Sequence, residues 1–179
     1  MTESRNAISA TIAIVAALAA AASVRAGSDK IAFPNDYARG VVYKSEDRSD
    51  NKQVRELFIT REAVEAVRRG APLPSGTVIT LVRYAAQLDA LGNPAKDANG
   101  RFIKTDKIVG YTVKEKRAGW GAEYPEEARN GEWEYRVFRA DKTANPDTKY
   151  DGCFGCHKSQ QSQDYLFTYD SLKAASRAE

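Results

Sequence analysis

The hydrophobic and polar positions along the chain divide it into a few short elements. Val54–Ile59 (VRELFI) is rich in β-branched and aromatic types and reads as a strand. Thr60 follows as a helix N-cap, and Arg61–Arg69 carries Ala63, Val64 and Val67 at helical spacing before Gly70 stops the helix. Thr77–Tyr84 (TVITLVRY) is almost continuously apolar, which predicts a central strand. Gly92-Asn93-Pro94 and Asn99-Gly100 mark turns in a polar excursion, and Ile108–Lys116 reads as another strand. In Trp133–Arg139, Trp133, Tyr135 and Val137 share one face; Glu134, Arg136 and Phe138 share the other. Phe138 implies that this second face is also partly covered. Pro34–Tyr43 reads as a short helix running into an extended piece, 44–51 as a charged loop, 140–152 as turns, and the tail from Leu172 as fraying into charge. Four strands, one clear helix and mostly turn connections favour an antiparallel sheet over βαβ units. The expected fold is mainly β (α+β): one domain, an antiparallel sheet with a few short helices.

The N-terminus follows a different grammar. Arg5 is followed by an apolar run from Thr11 to Ala22 and then Ser23-Val24-Arg25-Ala26. This charged, apolar, small-residue order is that of a secretory signal peptide cleaved after Ala26. The run is shorter than the roughly 20 residues that span a bilayer. The expected organisation is therefore a signal peptide over 1–26 and one mature domain over 27–179, exported to the periplasm and not membrane-bound after cleavage.

Composition narrows the function. The 27 Lys+Arg and 24 Asp+Glu of the 179 residues give a net charge of +3, which excludes a strongly basic nucleic-acid footprint. Two cysteines exclude a disulfide-rich scaffold. Those two lie in Cys153-Phe154-Gly155-Cys156-His157, the c-type haem attachment pattern. Two thiols at this spacing can each form a thioether with one haem vinyl group, and the adjoining histidine can take the iron. A structural zinc site wants four ligands, and this motif offers three. A thioredoxin-like pair wants a βαβ unit, which the pattern does not show. A plain disulfide is the remaining rival. Haem c, bound near the C-terminus through Cys153 and Cys156 with His157 on the metal, is the reading adopted.

The single His is His157, and the single Met is Met1 in the leader. The usual sixth ligands of electron-transfer cytochromes, Met or a second His, are thus missing from the mature chain. The simplest consequence is a five-coordinate iron with an open distal position, suited to small diatomics or to chemistry. An electron carrier would need an axial Lys.

Around this motif the chain resembles the cytochrome P-460 and cytochrome c′-beta family. The resemblance rests on Cys153–Thr168 (CFGCHKSQQSQDYLFT), on Gly70…Pro74-Ser75-Gly76-Thr77-Val78, and on Gly131-Glu132-Trp133-Glu134-Tyr135-Arg136-Val137-Phe138, in that spacing. It implies an antiparallel β fold, a five-coordinate haem c with an apolar distal pocket, and a periplasmic homodimer. In cytochrome P-460 a lysine bonded to the haem edge accompanies hydroxylamine oxidation. The c′-beta branch lacks that bond and binds nitric oxide and carbon monoxide. The corresponding position here is Leu81, and no lysine occurs between Lys52 and Lys96. The expected function is therefore binding of nitric oxide or a related small nitrogen species, with hydroxylamine oxidation and electron transfer as alternatives.

Further candidates complete the reading. Glu134, Asp147 and Asp151 are candidate distal proton acceptors, Glu134 the first choice as a catalytic residue; the competing expectation for each is a solvated carboxylate. Phe33, Phe58, Phe102 and Phe138 are distal caps or ordinary core. Arg136 and Arg139 could pair with haem propionates. Lys114, Lys116 and Arg117 read as a wet strand end.

Overall fold

The computed structural model describes residues 28–178, so the leader expected over 1–26 lies outside the described residues. Five strands, β1 (Val41–Arg48), β2 (Gln53–Ile59), β3 (Val78–Ala86), β4 (Lys104–Lys116) and β5 (Trp133–Arg139), form one antiparallel sheet in sequence order. Three helices accompany it: α1 (Arg61–Arg68), α2 (Asp151–Lys158) and α3 (Tyr169–Ala178). The expected mainly-β single domain is thus the observed one, with the TVITLVRY segment in the centre of the sheet as β3.

Three elements differ from expectation. The charged segment 44–51, read as a loop, supplies most of β1, an edge strand that keeps Lys44, Glu46 and Asp47 partly exposed, where charge discourages edge-to-edge pairing. The 140–152 stretch gives way at Asp151 to α2. The tail is not frayed: α3 runs Tyr169–Ala178 and buries Leu172 completely.

Helix α1 ends as its sequence requires. Gly70 takes φ +70°, its N–H reaches the Val67 carbonyl, and Ala71 N–H reaches Ala66, so the last carbonyls of the helix are satisfied by a Schellman motif. Thr60 holds the N-cap position, but its hydroxyl makes no capping bond.

Strand alternation separates two faces. The first carries Leu57, Ile59, Ile79, Leu81 and Trp133, packed under Ala63, Val64 and Val67 of α1 and Leu172 of α3. The second carries Phe58, Val82, Tyr111, Val113 and Phe138, covered by Ile31, Phe33 and Tyr37 from the N-terminal segment and by Trp120. Both faces of β5 are therefore buried, as Phe138 suggested. The helices cover only one end of the first face. Farther along it, Arg55, Leu81, Arg83, Thr112 and Val137 remain half-buried.

Candidate functional site

The site is built on α2. Tyr150 presents its carbonyl to the N–H groups of Cys153 and Phe154 at 2.8 and 3.1 Å, which starts the helix. Asp151 lies in the first turn and His157 and Lys158 in the last, as the helix dipole favours. Phe154 anchors one side, edge-on to Tyr124 and Tyr135 with ring centroids 5.5 and 4.9 Å away. Asn130, fully buried, donates to both the Tyr135 hydroxyl and the Phe154 carbonyl. Lys158 fastens the C-terminal end through the carbonyls of Glu126 and Arg129.

Cys153 stands three residues before Cys156 and four before His157, so the helix sets all three side chains on one side. Both thiols are free, Cys153 half-buried and Cys156 exposed. Burial, with a smaller contribution from Cys156, raises the Cys153 thiol above its ordinary value.

His157 is held by its own ring nitrogen. Its Nδ1 lies 2.7 Å from the Tyr165 carbonyl, and a carbonyl only accepts, so Nδ1 carries the proton and Nε2 keeps its lone pair. Burial, aided by the charge of Lys114, pulls its pKa down to about 4, opposed by the bond to Tyr165. The imidazole is neutral at neutral pH, as a metal ligand must be. Its ring lies 5.0 Å from Tyr135 and 5.2 Å from Phe167, which is half exposed.

The carbonyl that pins His157 is itself fixed by strain. Asp164 and Tyr165 both adopt left-handed backbone conformations, φ 51° and 60°. Such non-glycine residues cost about 1–3 kcal/mol each and persist only where the surroundings over-determine them. Here the Asp164 carboxylate accepts from Trp133 Nε1 at 3.0 Å and from Lys116 Nζ at 2.8 Å. Lys114 Nζ donates to the Tyr165 carbonyl at 2.5 Å and lies 4.3 Å above the Trp133 ring.

Lys114 overturns the wet-strand-end reading. It is 5% exposed, and burial pushes its pKa well below the ordinary value, with Asp164 opposing and Lys116 adding to the fall. Between that depressed native value and 10.5 the unfolded chain binds a proton that the native chain does not, so stability rises with pH through this window. We expect Lys114→Met to be more stable than the parent at pH 7, with the gap narrowing as pH approaches 10 in urea unfolding. A gap that is constant with pH would show that Lys114 stays charged in the native state.

The remaining candidates divide between the faces. Leu81 lies on the same sheet face as Tyr135 and Lys114 and packs beside Ile79 and Trp133. Phe33, Phe58 and Phe138 are core aromatics of the opposite face; Phe33 meets Tyr111 and Phe138 edge-on at 4.8 and 5.2 Å. Phe102 sits in the polar excursion, bridged to Lys96. Asp147 and Asp151 are exposed. Glu134 is not the solvated carboxylate of the bland expectation: it is fully buried on the opposite face, 3.7 Å from Lys30, which also pairs with Glu123. Burial raises its pKa, opposed by Tyr124 and Lys30. Arg136 spends its guanidinium on the Ile31 carbonyl at 2.5 Å, and Arg139 is exposed beside Asp147.

The arrangement suits a haem on three counts observed in the chain. Two free thiols and one imidazole share a helix side, the imidazole keeps Nε2 for a metal, and the adjoining sheet face and Phe167 leave apolar surface uncovered. None of the curated proteins matches the chain significantly. The family model for cytochrome P460 matches residues 34–168, from the N-terminal segment of the sheet through the haem motif and the Asp164–Tyr165 corner. The chain belongs to the cytochrome P460 family and, with it, to the haem-binding cytochromes.

Proposed function

We propose that the chain is an exported c-type haem protein that binds nitric oxide or a related small nitrogen species at an open iron position. The observation that carries this reading is the commitment of the only histidine: His157 Nδ1 is taken by the Tyr165 carbonyl, and the chain has no second histidine and no methionine beyond Met1. Cys153 and Cys156 hold the haem covalently, and His157 Nε2 takes the iron. The bound haem would supply a metal with one position free for a small ligand. Tyr135 and Phe167 flank the imidazole and limit its rotation. The leader grammar of 1–26 supports the periplasm as the location, and the family resemblance supports a homodimer. No helix among the described residues is long and apolar enough to cross a membrane.

A second reading, hydroxylamine oxidation, is favoured by one observation. Glu134 is a buried carboxyl whose raised pKa suits a group that takes up and returns a proton. Its place on the second sheet face, away from His157, counts against that role for a substrate bound at the iron. Against that reading, Leu81 offers no amine for a bond to the haem edge, and the buried amine on this face, Lys114, is engaged by Tyr165.

Optical spectra of the periplasmically matured protein, ferric and dithionite-reduced, with and without nitric oxide, test the proposal. A high-spin spectrum with an ordinary reduced Soret band that shifts on nitric oxide addition is the expected result. A strongly red-shifted reduced Soret band would replace it with the cross-linked, hydroxylamine-oxidising reading. A sharp low-spin spectrum indifferent to ligand would remove the open position altogether.

A further inference from the structure

Two arginines stand directly opposite each other on the uncovered part of the first sheet face. Arg55 of β2 and Arg83 of β3 are register partners, so their side chains project to the same side. Like charges directly opposite each other in a sheet repel. Yet both Nε–H groups are buried and without an acceptor among the described residues. Among the described residues Arg55 pairs only with Glu46, at 3.6 Å. Arg83 has no ion pair among the described residues, and burial together with Arg55 makes its charged form costly. Lys44, opposite Leu57 on the same face, adds a third cation against the one carboxylate of Glu46.

The backbone is shaped to keep Arg83 there. Gly110 of β4 pairs with Arg83 and has φ +156°. A Cβ at Gly110 would lie 2.5 Å from Arg83 Nη2 and 2.9 Å from the Phe138 carbonyl. Glycine at this position leaves room for the guanidinium over β4. A buried donor without an acceptor is costly, more so on a charged group, and is completed in native structures by water, an ion or a ligand.

The location identifies the partner. Arg83 is four residues from Ile79, whose register partner Lys114 shares the Tyr165 carbonyl with His157. Four strand residues span about 13 Å, a distance on the scale of a porphyrin with its side chains. Leu81, Thr112 and Val137 fill the interval as one half-buried register row. A guanidinium fork matches a carboxylate bidentately.

We propose that Arg83, with Arg55 beside it, is the carboxylate-binding end of the site and receives the haem propionates. Arg136 lies on the opposite face and engages the Ile31 carbonyl, whereas Arg139 shares the register row of Arg83 through Gly110 and lies 3.5 Å from the exposed Asp147. The assignment of Arg83 rests on the haem reading above and goes beyond it by fixing which way the macrocycle points along the sheet.

The test uses the matured holoprotein and four forms: parent, Arg83→Gln, Arg55→Gln and Arg83→Lys. Covalent haem content is measured first, by mass and by pyridine haemochrome. A parent without haem refutes the haem reading itself, and with it this one. With haem in place in all forms, resonance Raman bands of propionate bending and the midpoint potential at low salt carry the decision. Removing a cation beside a propionate leaves its negative charge uncompensated and favours the ferric state. The expected result for Arg83→Gln is a shifted propionate band and a ferrous-to-ferric ratio lowered about tenfold, which is about 59 mV for one electron. Arg55→Gln should show a smaller shift in the same direction, and Arg83→Lys should recover most of the potential. A purely structural arginine would change stability and leave both signals at the parent value, which would overturn the proposal. If Arg83→Gln does not fold, Arg55→Gln and Arg83→Lys decide on the same two signals.

Discussion

Replacing Cys153 and Cys156 together with alanine is expected to abolish covalent haem completely. The chain has no other thiols, so no alternative anchor can substitute. Each single variant should keep one thioether, because the two sulfurs lie three residues apart on one side of α2 and neither needs the other to be placed. His157→Ala should behave differently. The anchors remain, so haem still resists acid–acetone extraction, but the protein no longer supplies the metal ligand, and the ferrous spectrum should change while the mass does not. Mass spectrometry of the whole protein and the pyridine haemochrome spectrum after extraction distinguish these outcomes. Full haem retention in the double alanine variant would refute the attachment. Loss of haem in His157→Ala, with α2 still folded, would show that the imidazole is needed before the thioethers form.

How much of this was legible from sequence depended on how each element is stabilised. Strands β2 to β5 were legible because their stability comes from packing that leaves a β-branched and aromatic pattern, and α1 because Gly70 marks its end. The charged segment of β1 was misread because an edge strand needs only one hydrogen-bonded neighbour and can keep a polar outer surface. Helix α2 has two glycines and a weak apolar stripe, so no periodicity announces it; what holds it is Phe154 between Tyr124 and Tyr135 and the ties of Asn130 and Lys158, all long-range. Yet the Cys-x-x-Cys-His spacing already contained the helical geometry that the site uses. The buried charges were the deepest misses. Lys114 looks like a solvated strand end, and neither its burial nor that of Glu134 and of the Arg55 and Arg83 Nε atoms can be read from alternation, which cannot say that both faces of a sheet are occupied. Phe138 opposite Tyr135 was the one signal of that, and it concerned β5 only.

Trp133→Ala is expected to be the most destabilising single substitution, by about 3–5 kcal/mol, the usual cost of emptying a buried aromatic site. Trp133 is fully buried and belongs to the core under α1 and α3. Its loss would also reach the site by a short path. The indole N–H holds Asp164, the ring lies beneath Lys114, and those two contacts help keep Asp164 and Tyr165 in their left-handed conformations. Without them the strain of that corner is free to relax, and the Tyr165 carbonyl no longer has a reason to stay under His157 Nδ1. Trp133→Phe separates the two effects. It keeps most of the packing but deletes the N–H, a bond to a charged acceptor that contributes about 1.5–3 kcal/mol. Urea unfolding should therefore rank parent, Trp133→Phe and Trp133→Ala in falling order. The iron–histidine stretching band of the ferrous haem should move in both variants, since both release Asp164. If Trp133→Phe leaves that band at the parent frequency, the hydrogen bond to Asp164 does not position His157, and the imidazole is held by Tyr135 and Phe167 alone. A loss below about 1 kcal/mol in Trp133→Ala would contradict the burial argument itself, because a domain with a total stability of about 5–15 kcal/mol cannot empty its largest core site so cheaply.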